Sequence, residues 1–204
     1  MKKTIKVSVL LVIALVGLSA TAQVGIKAGL GVSNWVLKDN DVDVSAELFD
    51  AGFAFSTGVG FEIDFSDNIA LEPALLFTQK SFSADLDEFF KVKTNFIELP
   101  VNLKVYILDL GDVGRLYGLG GGYVAYMFSG KSNDVKIDIG NKSTDFFKPL
   151  DGGINIGAGV QFFEALNVDF SGSIGVANLS NDRSNGLKSR LNVVRLSVTY
   201  QFGG

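Results

Sequence analysis

Residues 94–107 read Thr-Asn-Phe-Ile-Glu-Leu-Pro-Val-Asn-Leu-Lys-Val-Tyr-Ile. Side chains of an extended strand alternate between its two faces. One face therefore carries Ile97, Leu99, Val101, Leu103, Val105 and Ile107 and is wholly apolar. The other carries Phe96, Glu98, Pro100, Asn102, Lys104 and Tyr106 and holds charges of both signs. A strand of about 9–11 residues is enough to cross a bilayer, and this segment reaches that length. Such a long, two-faced strand is unusual in a soluble core. It is ordinary in a membrane β-barrel, where one face meets hydrocarbon and the other a polar lumen.

The same alternation recurs along the chain. Strand-like segments fall near residues 24–37, 51–65, 69–82, 92–109, 115–129, 151–163, 166–179 and 191–202. In the second, Phe53, Phe55, Val59, Phe61 and Ile63 alternate with Ala54, Ser56, Gly60, Glu62 and Asp64. In the last, Val194, Leu196, Val198 and Tyr200 alternate with Arg195, Ser197, Thr199 and Gln201. The fifth is too rich in Gly and aromatic residues for its faces to be assigned. Short connections near 66–68, 110–114 and 164 alternate with long polar ones at 38–50, 83–91, 130–150 and 180–190. Short periplasmic turns and long outer loops are the pattern of an outer-membrane barrel. The predicted fold is thus all-β, an eight-stranded antiparallel up-and-down transmembrane β-barrel, with its four long loops outside.

Period two does not say which face is inside, and a soluble lipocalin-like barrel would invert the pattern. The face opposite the apolar one is mostly Gly, Ala, Ser and Thr with some charges, which suits an eight-stranded interior just wide enough for side chains. Aromatic residues near strand ends (Trp35, Phe65, Tyr106, Phe128, Tyr200 and Phe202) are expected to form interfacial girdles. The apolar face is therefore expected to meet outer-membrane lipid.

The start of the chain supports export. Lys2, Lys3 and Lys6 precede an apolar run from Val7 to Leu18, and Ala20-Thr21-Ala22 forms a small-residue cleavage site. The expected division is a signal peptide at 1–22, cleaved after Ala22, and a barrel domain at 23–204, placed in the bacterial outer membrane. The chain has 18 basic and 22 acidic residues; three of the bases and none of the acids precede residue 23, leaving 15 against 22, a net charge of −7. That balance disfavours nucleic acid as a partner. The 204 residues include no Cys, which removes disulfides and thiolate metal sites.

With strands of this kind in view, Phe96 to Tyr106, FIELPVNLKVY, resembles the E-[IL]-P-x-x-[LF]-K signature of the PorT-like outer-membrane β-barrel family of Bacteroidetes. ALEPALLFTQK at 70–80, GINIGAGVQF at 153–162 and the terminal SVTYQF resemble other strands of that family. The resemblance spans essentially the whole chain after the signal. It implies fold and compartment, and an accessory role in a protein secretion system as one functional alternative.

By the alternation, Lys27, Glu62, Asp64, Glu72, Glu98, Lys104, Asp169 and Arg195 point inward. Unpaired charges in a narrow interior are costly, so these are expected to form an internal charged network. Pro removes a ladder hydrogen bond. If the third and fourth segments pair across the 83–91 loop, Pro73 falls opposite Val101 and Pro100 opposite Ala74, giving one shared weak point.

No catalytic, cofactor-binding or metal-binding residue is predicted. Asp39 to Asp43 echoes a calcium loop, but Val44 stands where the turn glycine belongs. Gly118 to Gly122 is followed by no helix that could cap a phosphate. Barrel hydrolases commonly use His as base and the chain has none, so no enzyme activity is expected. The leading functional expectation is a structural or interaction role through the loops at 38–50, 83–91, 130–150 and 180–190. The 130–150 loop, with Lys131, Asp134, Lys136, Asp138, Phe146, Phe147 and Pro149, is the first choice of contact surface. The alternative is a narrow channel or small-solute-binding barrel.

Overall fold

The computed structural model describes residues 22–39, 42–43, 49–85, 89–142, 144–181 and 188–202. Residues 1–21 of the expected signal peptide lie outside these, as do parts of the loops at 38–50, 83–91 and 180–190 and residues 40–41 of the calcium-like segment.

Eight long strands form the wall: β1 (Ala22–Asp39), β3 (Asp50–Ser66), β4 (Ile69–Asp85), β5 (Phe89–Asp109), β6 (Gly114–Ser132), β8 (Leu150–Phe162), β9 (Leu166–Gly175) and β10 (Lys188–Phe202). Two short strands, β2 (Val42–Asp43) and β7 (Val135–Lys136), extend β1 and β6 into the loops. Each long strand pairs antiparallel with its sequence neighbour, and β1 closes the ring on β10 from Val24 against Phe202 to Lys38 against Lys188. The chain is an all-β, eight-stranded up-and-down barrel. Closure leaves no free sheet edge, the condition for strands to exist where no water can pair with backbone groups.

The burial pattern follows the alternation. On β5, Phe96, Glu98, Asn102, Lys104 and Tyr106 are buried while Ile97, Leu99, Val101, Leu103, Val105 and Ile107 are exposed. The unassigned fifth segment resolves in the same way: Tyr117, Leu119, Tyr123, Ala125 and Met127 face in, and Val124, Tyr126 and Phe128 face out.

At the short-turn end, β3 and β4 join through Asp67-Asn68, and β5 and β6 through a single 3-10 turn at Gly111–Val113. Between β8 and β9, Phe163 and Glu164 take φ of 50° and 59°, and the Ala165 N–H donates to the Phe162 carbonyl at 3.1 Å.

The β4–β5 ladder is continuous from Ile69 against Val105 to Pro73 against Val101 and resumes at Leu76 against Glu98. The interruption covers Ala74, Leu75, Leu99 and Pro100, so Pro100 lies within it and Pro73, opposite Val101 as expected, borders it.

Three expectations change. Trp35 and Tyr106 do not join an outer girdle: both are buried inside, because alternation along β1 and β5 turns them inward. Phe65, Phe128, Tyr200 and Phe202 are exposed outside, as a girdle requires. The seventh strand ends at Gly175 rather than 179, and the chain beyond it turns over the barrel mouth to bury Leu179. Asp64 is exposed rather than interior. It stands one step beyond Glu62 at the short-turn end, where the β3–β4 register breaks between Asp64 and Ser66 and the barrel opens to solvent.

Candidate functional site

The interior of the barrel holds the chemistry. Five carboxylates (Glu62, Glu72, Glu98, Asp151 and Asp169) and four cations (Lys27, Lys80, Lys104 and Arg195) are buried there. Inward alternation on β1, β3, β4, β5, β9 and β10 delivers most of them, and Asp151 enters at the start of β8.

They form two groups along the axis. In the group nearer the short turns, Lys104 Nζ lies 2.5 Å from Glu62 Oε2 and 2.6 Å from Glu72 Oε2. Lys27 Nζ lies 2.6 Å from Glu72 Oε1 and 3.3 Å from Asp169 Oδ2. Charge therefore alternates in a line, Asp169–Lys27–Glu72–Lys104–Glu62. Glu62 also accepts from the Tyr106 hydroxyl at 2.5 Å and from Gln201 Nε2 at 2.6 Å. In the group nearer the long loops, Lys80 Nζ is 3.0 Å from Asp151 and 3.5 Å from Glu98. Arg195 donates to Glu98 at 3.2 Å and to Ser56 Oγ at 3.0 Å. Lys80 also faces the rings of Phe96 and Tyr123, and Lys104 that of Tyr117, at 4.6, 4.9 and 4.8 Å from the ring centres.

Between the groups, Asn155 Nδ2 donates to Asn102 Oδ1 at 3.0 Å, and Ser173 Oγ donates to Asn155 Oδ1 at 2.8 Å. A cavity of about 20 Å³ bordered by Lys27, Glu98, Asn102, Asn155, Asp169 and Arg195 lies beside them. It has room for about one water. Among the described residues, no group of three or more metal-ligating side chains comes together.

Of the sequence-predicted charges, Lys27, Glu62, Glu72, Glu98, Lys104, Asp169 and Arg195 come together inside, and Asp64 does not. Lys80 and Asp151 join them unforeseen. Lys80 sits on the inward face of its strand, but near its end, and Asp151 borders a long loop, where alternation is weakest.

Two glycines make the lumen fit its aromatic residues. A Cβ on Gly159 would stand 2.6 Å from the Tyr117 ring, and one on Gly153 would stand 2.6 Å from that of Tyr123. The tyrosines occupy the space that side chains at these positions of β8 would fill. Gly159→Val is expected to displace Tyr117 and destabilise the folded barrel by about 1–3 kcal/mol, the usual cost of overpacking. Urea unfolding in lipid vesicles measures it, and an unchanged midpoint would refute the packing.

The long-loop end of the interior is apolar. Trp35, Phe82, Val92, Phe96, Met127 and Leu191 of the strands pack with Ile137, Phe147 and Leu179 of the connections. Trp35 lies 4.6 Å from Phe82 and 4.9 Å from Phe147 between ring centres. The 130–150 loop is thus not wholly a free polar surface. Bridges from Ile139 to Phe147 and from Phe147 to Ser180 fold it across the mouth, with Phe147 and Pro149 buried and Phe146 exposed. Phe147→Ala is expected to remove about 3–5 kcal/mol of packing and to make the loop a protease target in intact vesicles; unchanged resistance would contradict the packed mouth. At the other end, Arg115 stacks 3.8 Å over the Tyr106 ring and donates to Gln161 at 2.8 Å.

Residues 18–181 match the family model described as outer membrane protein beta-barrel domain. No curated protein matches the sequence significantly. Among solved structures, the outer membrane protein OprG from Pseudomonas aeruginosa is similar at 12% identity and a TM-score of 0.50, over 90% of this chain and 97% of that one. Neisserial surface protein A is similar at 10% identity and a TM-score of 0.48, over 87% and 97%. Ail, the attachment invasion locus protein of Yersinia pestis, is similar at 13% identity and a TM-score of 0.41, over 88% and 99%.

Proposed function

The chain belongs to the outer membrane protein beta-barrel domain family, and from that premise we propose that it is a non-conducting barrel whose interior is plugged and whose work is structural or interactive, done at its outer loops. The bacterial outer membrane is the compartment of that family. One observation carries the reading: every buried charge has a partner of opposite sign, in two groups along the axis, and the mouth above them is filled by apolar side chains. A conducting lumen needs an aqueous path, whereas here desolvated ion pairs occupy the interior, the cavity between their two groups has room for about one water, and an aromatic cap covers the mouth.

The exposed band on β5, with its counterparts Val24, Ile26 and Leu30 of β1 and Leu196 and Val198 of β10, is the surface we assign to lipid. The long loops project from the outer end, since outer-membrane barrels keep their short turns in the periplasm. Phe146, Val135 and the exposed lysines and aspartates of the 130–150 loop are the side chains we assign to contact with a partner. Cleavage after Ala22 and membership of the PorT-like group, with an accessory role in secretion, belong to the same proposal. They rest on the Ala-Thr-Ala site and the Glu98-Leu99-Pro100 motif. Intact mass of the protein from outer membranes locates the cleavage.

Single-channel recording in planar bilayers tests the plug. No discrete conductance is expected from the wild type. Steps of conductance from a heat-modifiable, folded preparation would establish the channel alternative instead.

A further inference from the structure

The outer wall changes character in three successive rows where β4, β5 and β6 approach the loops, with a shift of the β5–β6 register between the first and the second. The last apolar row is Phe77, Ile97 and Tyr126, paired across the three strands, with Phe128 6.1 Å from Phe77. The next row is a polar ladder: Gln79 Nε2 donates to Asn95 Oδ1 at 2.8 Å, and Asn95 Nδ2 donates to Ser129 Oγ at 2.8 Å. The row beyond is basic. Lys93 stands directly opposite Lys131, and Lys131 opposite Lys136 of β7.

Like charges directly opposite across an antiparallel pair are destabilising. No ion pair among the described residues involves Lys93, Lys131 or Lys136. Lys131 and Lys136 are exposed and Lys93 half-buried. The interior shows the opposite habit, with each buried lysine beside two carboxylates. The short-turn rim is the reverse in sign: Asp64, Asp67, Asp109, Asp112 and Glu164 are all exposed there. On the far side of the ring, β1 and β10 run from apolar Val32 and Val194, through Asn34 and Asn192, to Arg190 opposite Val36, with Lys38 opposite Lys188 in the row beyond. A basic row one step beyond a hydrogen-bonding row, itself at the edge of an apolar band, fits an amphiphile with acyl chains, hydroxyl or amide groups and then a phosphate.

We propose that the outer ends of β5, β6 and β7 bind the phosphate of a phosphorylated glycolipid seated in the outer leaflet, held by Lys93 and Lys131 above Asn95 and Ser129. This rests on the membrane reading above and adds to it a specific anionic lipid. The phosphate supplies the charge that the facing lysines lack, and the amide ladder receives the sugar.

The test uses protein extracted from outer membranes, with its fold checked by heat-modifiable gel mobility. It is titrated with diphosphoryl lipid A, with the fully dephosphorylated lipid, and with inorganic phosphate, and bound lipid is counted by native mass spectrometry. Lys93→Gln/Lys131→Gln is expected to weaken diphosphoryl lipid A by about tenfold or more, since each base near an anionic lipid surface contributes about one kcal/mol. The dephosphorylated lipid should bind the wild type no better than the phosphorylated lipid binds that variant. Lys131→Gln alone should raise the urea midpoint without lipid, by relieving the facing charges, while weakening lipid retention; a merely structural lysine would lower the midpoint. Equal binding of the two lipids, or an unaffected double variant, overturns the proposal. Displacement of the lipid by equimolar inorganic phosphate or by polyglutamate overturns the lipid assignment in favour of a free anion or an acidic polypeptide. Absence of a heat-modifiable species would instead defeat the membrane reading itself.

Discussion

Lys104→Met should destabilise the folded barrel by about 3–5 kcal/mol, the range for removing one partner of a buried ion pair. Lys104 is fully buried and bridges Glu62 and Glu72, both on its own side of the interior. Methionine fills nearly the same volume, so little of the effect comes from a cavity. Glu72 keeps Lys27 at 2.6 Å. Glu62 keeps only the neutral donors Tyr106 and Gln201. The larger part of the loss should therefore come from Glu62, and adding Glu62→Gln to Lys104→Met should recover much of it. Urea unfolding from vesicles measures the cycle. If the single variant unfolds within about 0.5 kcal/mol of wild type, the line of ion pairs does not carry the stability assigned to it.

Val101→Arg on the opposite face should cost about 2–4 kcal/mol, the penalty for a cationic side chain at the bilayer midplane of an outer-membrane barrel. Val101 lies midway along the apolar row from Ile97 to Ile107 and is 40% exposed. In water an arginine there would be close to neutral, because exposed substitutions away from special features usually fall within about 0.5 kcal/mol. The same substitution at Ile107, towards the short-turn end, should cost much less, because the penalty falls to about 0–1 kcal/mol near the interfaces. Equal and small effects at both positions would mean that the apolar row does not face lipid.

The two variants probe opposite faces of one strand, and that strand is where the fold could be read most directly from the chain. Alternation on β5 separates Ile97 to Ile107 from Glu98 and Lys104, and long and short connections alternate as a closed up-and-down ring requires. The proline pair was legible as well, since the pairing of Pro73 with Val101 follows from hairpin symmetry. What alternation encodes is direction, not depth. Asp64 has inward parity yet sits where the barrel opens, while Lys80 has the same parity and lies fully buried. Trp35 and Tyr106 lie near strand ends and read as girdle residues, although their parity turns them inward. The apolar mouth was hidden for a different reason. Phe147, Ile137 and Leu179 come from connections without periodicity, and their burial depends on long-range contacts that local sequence does not report. The faces of β6 were obscured because glycine marks neither side; Tyr117 and Tyr123 find their places through Gly159 and Gly153 on the neighbouring strand.

The location and closure of the barrel can be tested in one experiment. Cells expressing the chain can be fractionated, and the membrane and soluble fractions run on a gel with and without heating. The expected result is a protein in the outer membrane whose unheated form migrates differently from its heated form, as a closed barrel that resists detergent does. A protein found in the soluble periplasm, with the same mobility before and after heating, would contradict it.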